Sequence, residues 1–243
     1  KVIIFYLPFW FNYFTTTIDV FNGSASDISN VRFMRNIDPD QDVPSETFDT
    51  YNDVVQNPTG SLSVAAVKAT GPVTGTVVEL VGDGANWRAS AFGFTNTDPY
   101  VAAAYDSPQD PNGASADIAI ALTNNIGTIS AGGSAHISYI TTANVATTGA
   151  NALVGDANAN SIDGLGGKDI LFGLGGADTF VFKAGYGANT VADFSGHALG
   201  GQGDLIELYD FGFANFAELL DGHILDIDRG GGIHDTMIDL GGG

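Results

Sequence analysis

The stretch Gly149–Phe182 repeats every nine residues, and that period limits the possible folds more than any other feature of the chain. Leu153, Ile162, Leu171 and Phe180 fall nine apart, and two places before each stands an oxygen-bearing side chain: Asn151, Asn160, Asp169 and Asp178. Gly155, Gly164 and Gly173 open three of the units. Gly149, Gly167 and Gly176 recur two places before the oxygen-bearing residue, with Asn158 in the remaining slot. Glycine permits turns with positive φ and close approach of backbone to backbone. A short β segment after each turn then buries its apolar residue, and the acid oxygens and turn carbonyls face a hard cation. A plain glycine-rich loop has no need for a nine-residue apolar period.

The units Gly164–Phe172 and Gly173–Val181 resemble the calcium-binding nonapeptide of the RTX (repeats-in-toxin) family. The resemblance implies a parallel β-roll whose stacked turns clasp Ca²⁺, and export through a one-step secretion channel. In such a roll one full turn takes two nonapeptides, so the Asn151 loop stacks on the Asp169 loop and the Asn160 loop on the Asp178 loop. Each pair would supply side-chain oxygens and carbonyls from the turns at Gly149, Gly164, Gly167, Gly173 and Gly176. That is the all-oxygen shell Ca²⁺ prefers, whereas Mg²⁺ needs a tighter octahedron. Asn at 151 and 160 lowers the ligand charge, which suits weak sites and millimolar calcium. Thr190–Phe194 resembles the usual exit from such repeats and makes Asp193 a further candidate ligand.

Composition agrees with turns that hold cations. The net charge is −20, from 28 acids against 8 bases, and only four of the acids are Glu, leaving 24 Asp. Asp is a poor helix former and a good turn and cation-ligand residue. So acidic a surface repels nucleic acid and anionic lipid, and neither is an expected partner. The absence of cysteine excludes disulfides, thiolate metal sites and cysteine nucleophiles.

Ahead of the repeats, residues 15–144 read as an antiparallel β-sandwich. Thr15–Phe21, Val31–Arg35, Thr47–Val55, Leu62–Lys68, Gly75–Val81, Trp87–Gly93, Ala116–Leu122 and Ala135–Thr141 carry β-branched or aromatic residues between Gly/Pro/Asn/Asp turns. Val31–Asp42 and Leu122–Tyr139 resemble β-sandwich modules that precede RTX repeats in bacterial surface proteins. Residues 1–14 are a strongly aromatic segment with Pro8 in its middle, too short for a membrane span. They read as a first strand or as an intersubunit contact. Asp38, Asp40 and Asp42 alternate as calcium-loop carboxylates do, but Val43 stands where an EF-hand needs Gly, leaving a different calcium loop or an acidic turn. Asp106–Gly113 is a second acidic loop. The small polar run Thr141–Thr148 reads as a linker into a third region, 145–243, which ends in a short helix at Asn215–Leu220 and a hairpin around Asp228–Gly232.

No hydrolase, phosphate-loop or dinucleotide motif is present, and no His is followed by Glu. The expectation is therefore a non-catalytic, secreted, all-β protein that binds Ca²⁺ and assembles with copies of itself into a surface layer, filament or matrix. The alternative is an adhesin that binds a cell-surface glycan, with Trp87 as an exposed stacking residue; a third is the non-catalytic part of a secreted hydrolase.

Overall fold

The structure, a computed structural model, describes residues 12–42, 47–59, 62–93, 97–196, 203–230 and 233–240. Residues 1–11 of the aromatic segment lie outside these, as does the final Gly241–Gly243. Among the described residues nearly every element is a strand, and no helix is long and apolar enough to cross a membrane.

Nine strands form the antiparallel part: β1 (Tyr13–Phe21), β2 (Ile28–Ile37), β3 (Thr50–Gln56), β4 (Val64–Thr70), β5 (Val77–Asp83), β6 (Trp87–Phe92), β7 (Ser115–Ala116), β8 (Ala119–Ile129) and β9 (Ser134–Thr142). They make a six-stranded sheet, β1-β9-β5-β4-β3-β7, and a three-stranded sheet, β2-β8-β6. Every segment expected to be a strand overlaps one of them. The two sheets face each other across one apolar cluster that includes Val67, Leu80, Trp87, Ile120, Leu122 and Tyr139. The Trp87 ring sits edge-on to both Phe33 and Tyr139. At 2% exposure Trp87 is a core residue, so it offers no stacking face to a glycan.

Six short strands follow: β10 (Ala152–Val154), β11 (Ser161–Asp163), β12 (Ile170–Phe172), β13 (Thr179–Lys183), β14 (Thr190–Val191) and β15 (Leu205–Tyr209). They alternate between two parallel three-stranded sheets, β10-β12-β14 and β11-β13-β15. Leu153 pairs with Leu171, and Ile162 with Phe180, each eighteen residues on. These four residues form one buried cluster, so the nine-residue apolar period is spent inside the two sheets. The spacing then breaks: Leu171 pairs with Val191 and Phe180 with Ile206, twenty and twenty-six residues on.

The two parts share a core. Successive strand residues point to opposite faces, and β4 buries both: Val67 and Ala69 face the first cluster, while Val64 and Ala66 join Val81, Val154, Phe172 and Leu174 in a second. The run expected to be a linker belongs to this seam. The Thr142 hydroxyl donates to the Ala152 carbonyl at 2.7 Å, and the Asn144 carboxamide grips Val154 at both N–H and carbonyl, at 2.8 and 3.0 Å. The chain continues through α1 (Phe216–Leu220), capped by the Asn215 carboxamide oxygen, to the hairpin of β16 (Ile224–Gly230) and β17 (Ile233–Ile238). Residues 228–230, expected in the turn of that hairpin, belong to β16.

Candidate metal centre

The turns between the parallel strands are stacked by their own side chains. The backbone N–H of Asn151 donates to Asp169 Oδ1 at 2.9 Å, and that of Asp169 donates to Asn189 Oδ1 at 2.9 Å. On the other edge the N–H of Asn160 donates to Asp178 Oδ1 at 2.9 Å, and that of Asp178 to Asp204 Oδ1 at 3.0 Å. Two ladders result: Asn151–Asp169–Asn189 and Asn160–Asp178–Asp204. The 151/169 and 160/178 stacking anticipated from the repeat is present.

Each ladder needs glycine to make room. A Cβ at Gly164 would collide with Asp169 Oδ2, and one at Gly173 with Asp178 Oδ2. Gly167 and Gly176, at φ of +115° and +120°, lie directly over the carbonyls of Gly149 and Asn158. Leu174 also adopts a left-handed φ of +68°, a cost of roughly 1–2 kcal/mol. Its side chain offsets this by burying itself in the seam cluster, and Asp193 Oδ2 accepts its N–H at 2.9 Å.

Two of the three ladder acids are buried and half-satisfied. Asp169 and Asp178 are 0% and 1% exposed, and Oδ2 of each meets no donor among the described residues. Burial raises both above the ordinary carboxylate range, against hydrogen bonds from Asn151 and Asn160; Asp204 and Asp156 push Asp178 further up. Asp193 is pushed up to about 6, chiefly by burial, with both oxygens taken by the N–H groups of Gly173 and Leu174. A buried carboxylate oxygen without a donor is costly, and a proton or a cation relieves it.

The Asn151 side chain is fully engaged by hydrogen bonds. Its Oδ1 accepts from Thr147 N, Thr147 Oγ1 and Asn12 Nδ2, at 3.1, 2.8 and 3.0 Å. Its Nδ2 points at the carbonyls of Thr147, Gly149 and Gly164 and at Asp169 Oδ1. Four oxygens around one nitrogen is the surrounding a cation would take, so the amide closes this first turn without one. Asn160 keeps more freedom: its oxygen accepts from Asp156 N at 2.7 Å, and its side chain is partly exposed.

Two members of the ladders escaped the sequence reading. Asn189 and Asp204 stand two places before the apolar strand residues Val191 and Ile206, the same offset as in the repeats. The signal was present, but the changed spacing hid it.

The earlier acidic loops divide. Asp38 and Asp40 come together with Asp117, their ligand atoms within 4.8 Å of one another. Partial desolvation and the two neighbouring carboxylates raise Asp38. Asp42 is not part of this trio. Its carboxylate accepts from Val73 N at 2.7 Å and from the Thr74 hydroxyl at 2.5 Å, pinning the β4–β5 turn, and these bonds lower it. Asp106 of the other loop is engaged by Arg32 in a two-pronged ion pair at 2.9 and 3.1 Å. Asp110 accepts from Asn112 N at 2.8 Å as an ordinary turn.

No family model matches this chain, and no curated protein matches it.

Proposed function

We propose that this is a secreted, calcium-binding structural protein whose repeats wind into an RTX-like parallel β-roll that Ca²⁺ completes. The observation that carries the reading is the pair of buried carboxylate oxygens, Asp169 Oδ2 and Asp178 Oδ2, each without a donor among the described residues and each packed against a turn glycine, Gly164 or Gly173. Asp169 would hold an ion with the carbonyls of its own turn, and Asp178 would do so with Asn160 and Asp204. The second ladder carries two acids against one, so it is the tighter site. Binding to the folded state alone would add about 2.7 kcal/mol per site when calcium stands at 100 times Kd. Low calcium inside the cell would leave the repeats threadable, and higher calcium outside would fold them.

Self-assembly at the cell surface is the second half of the proposal. It is supported by the apolar surface at the far end of the parallel sheets, where Phe194, Leu205 and Phe216 are 43–66% exposed around a cleft of about 490 Å³. Calorimetric titration of the full chain with calcium tests the first half. We expect saturable binding, weakened at least about tenfold by Asp178→Asn. No heat of binding, or an unchanged affinity in that variant, would contradict the site. Sedimentation velocity in calcium tests the second half: a monomer at all concentrations would contradict assembly and leave the ion site standing.

A further inference from the structure

Away from the ladders, one ionisable group is wholly enclosed and unsatisfied. Glu79 of β5 is 0% exposed, and neither of its carboxyl oxygens meets a donor among the described residues. It lies on the same face of β5 as Val81, which packs in the seam cluster. Its cross-strand neighbours are Lys68 on β4 and Thr142 on β9. Thr142 and Asn144 are the residues that clamp the outer edge of β10. Glu79 therefore sits beneath the fastening between the antiparallel and the parallel sheets.

The charged groups around it are few. Lys68 faces it from β4, with Nζ 3.7 Å from Asp53 Oδ2 on β3. Asp156, in the turn after β10, feels Lys68 from the parallel side. From β9 and the residues after it come the neutral Thr142 and Asn144; the Asn144 NH₂ donates to the Val154 carbonyl, and the amide lies close enough to Glu79 to favour its charged form. An ionised Glu79 would make Lys68 serve three carboxylates at once. Burial pushes the Glu79 carboxyl up to about 8; Lys68 and Asn144 pull against this, and Asp53 adds to it.

We propose that Glu79 is a proton-operated latch on the seam: protonated, it lets the Thr142–Asn144 clamp hold β10, and its ionisation loosens that clamp while the antiparallel core stays closed. Because the folded value of about 8 lies above the ordinary 4.5, the stabilisation is complete below 4.5 and is lost as pH rises through about 8.

The chain has four glutamates, so ¹³C labelling of Glu side chains gives four carboxyl signals to follow. At constant calcium we expect one to titrate near pH 8 and to vanish in Glu79→Gln. Hydrogen exchange, corrected for its intrinsic pH dependence, should show protection of Ala152–Val154 falling about tenfold between about pH 7 and about pH 9. Glu79→Gln should abolish that fall, and protection of Ala119–Ile129 should stay constant in both proteins. Should Glu79→Gln fold poorly, Lys68→Gln substitutes for it: removing that cation should move the high midpoint upward. Four signals all titrating in the ordinary carboxyl range would overturn the buried proton. An equal loss of protection in wild type and Glu79→Gln would overturn the latch.

Discussion

In the antiparallel sheets β8 alone runs eleven residues, with Ala119–Asn124 all buried, whereas the first three strands of the parallel sheets are three residues each. The first region closes a two-sided core around Trp87. The second has a narrow apolar file, Leu153, Ile162, Leu171 and Phe180, bordered by buried acids. Apolar burial stabilises in proportion to the area removed from water, and unsatisfied buried carboxylates oppose it. On the proposed reading the first half keeps its core without a cation, and the second relies on whatever satisfies Asp169 and Asp178. The seam cluster and the Asn151 cap let the dependent half start from a finished surface.

The sharpest way to break this comparison is to empty the narrow file. Phe180→Ala removes a fully buried ring and should cost about 3–5 kcal/mol. Its effect should appear in the parallel sheets, as a calcium midpoint moved to higher concentration, while the near-ultraviolet signal of Trp87 persists. Simultaneous loss of both would show that the halves are one unit.

A smaller effect is expected at the cap. Asn151→Asp deletes the amide that stands among four oxygens, so the calcium-free protein should lose about 1–3 kcal/mol. Calorimetry should then count one more bound calcium than in wild type. An unchanged count would mean that the first turn is closed to ions for another reason.

Protons should partly replace the cation. Burial raises Asp169 and Asp178, so what each contributes to folding is complete below the ordinary carboxylate value and is lost as pH rises through the raised one. In EGTA, circular dichroism should show more β-sheet at about pH 5 than at about pH 7.5. The reverse order would contradict the assignment of orphaned carboxyls. Smallest of all, Asp42→Asn should cost about 1 kcal/mol in a thermal melt and leave calcium binding alone, because among the described residues its oxygens serve the turn at Val73 and Thr74.

The sequence made the strands legible because turn residues punctuate alternating apolar runs, and it made the eighteen-residue stacking legible because the apolar and oxygen-bearing positions agree in phase. It hid the seam. Val64 and Ala66 read as one face of an ordinary strand, and nothing in their pattern says that Val154 and Phe172 cover them. The hydrogen bonds that engage Asn151 were equally hidden, because Asn12 and Thr147 lie outside the nine-residue pattern. Asp42 shares its alternation with Asp38 and Asp40, yet the chain turns after Asp40 and delivers it to a different loop. Asp117, the residue that joins the other two, lies far along the chain and carries no local signal.

On the proposed function the parallel sheets need a cation and the antiparallel sheets do not. Hydrogen exchange of the full chain, resolved by peptide, in millimolar calcium and then in excess EGTA tests it most directly. Protection across residues 149–209 should collapse in EGTA while that of residues 64–92 and 119–142 is kept. Identical protection of residues 149–209 in the two conditions would contradict it.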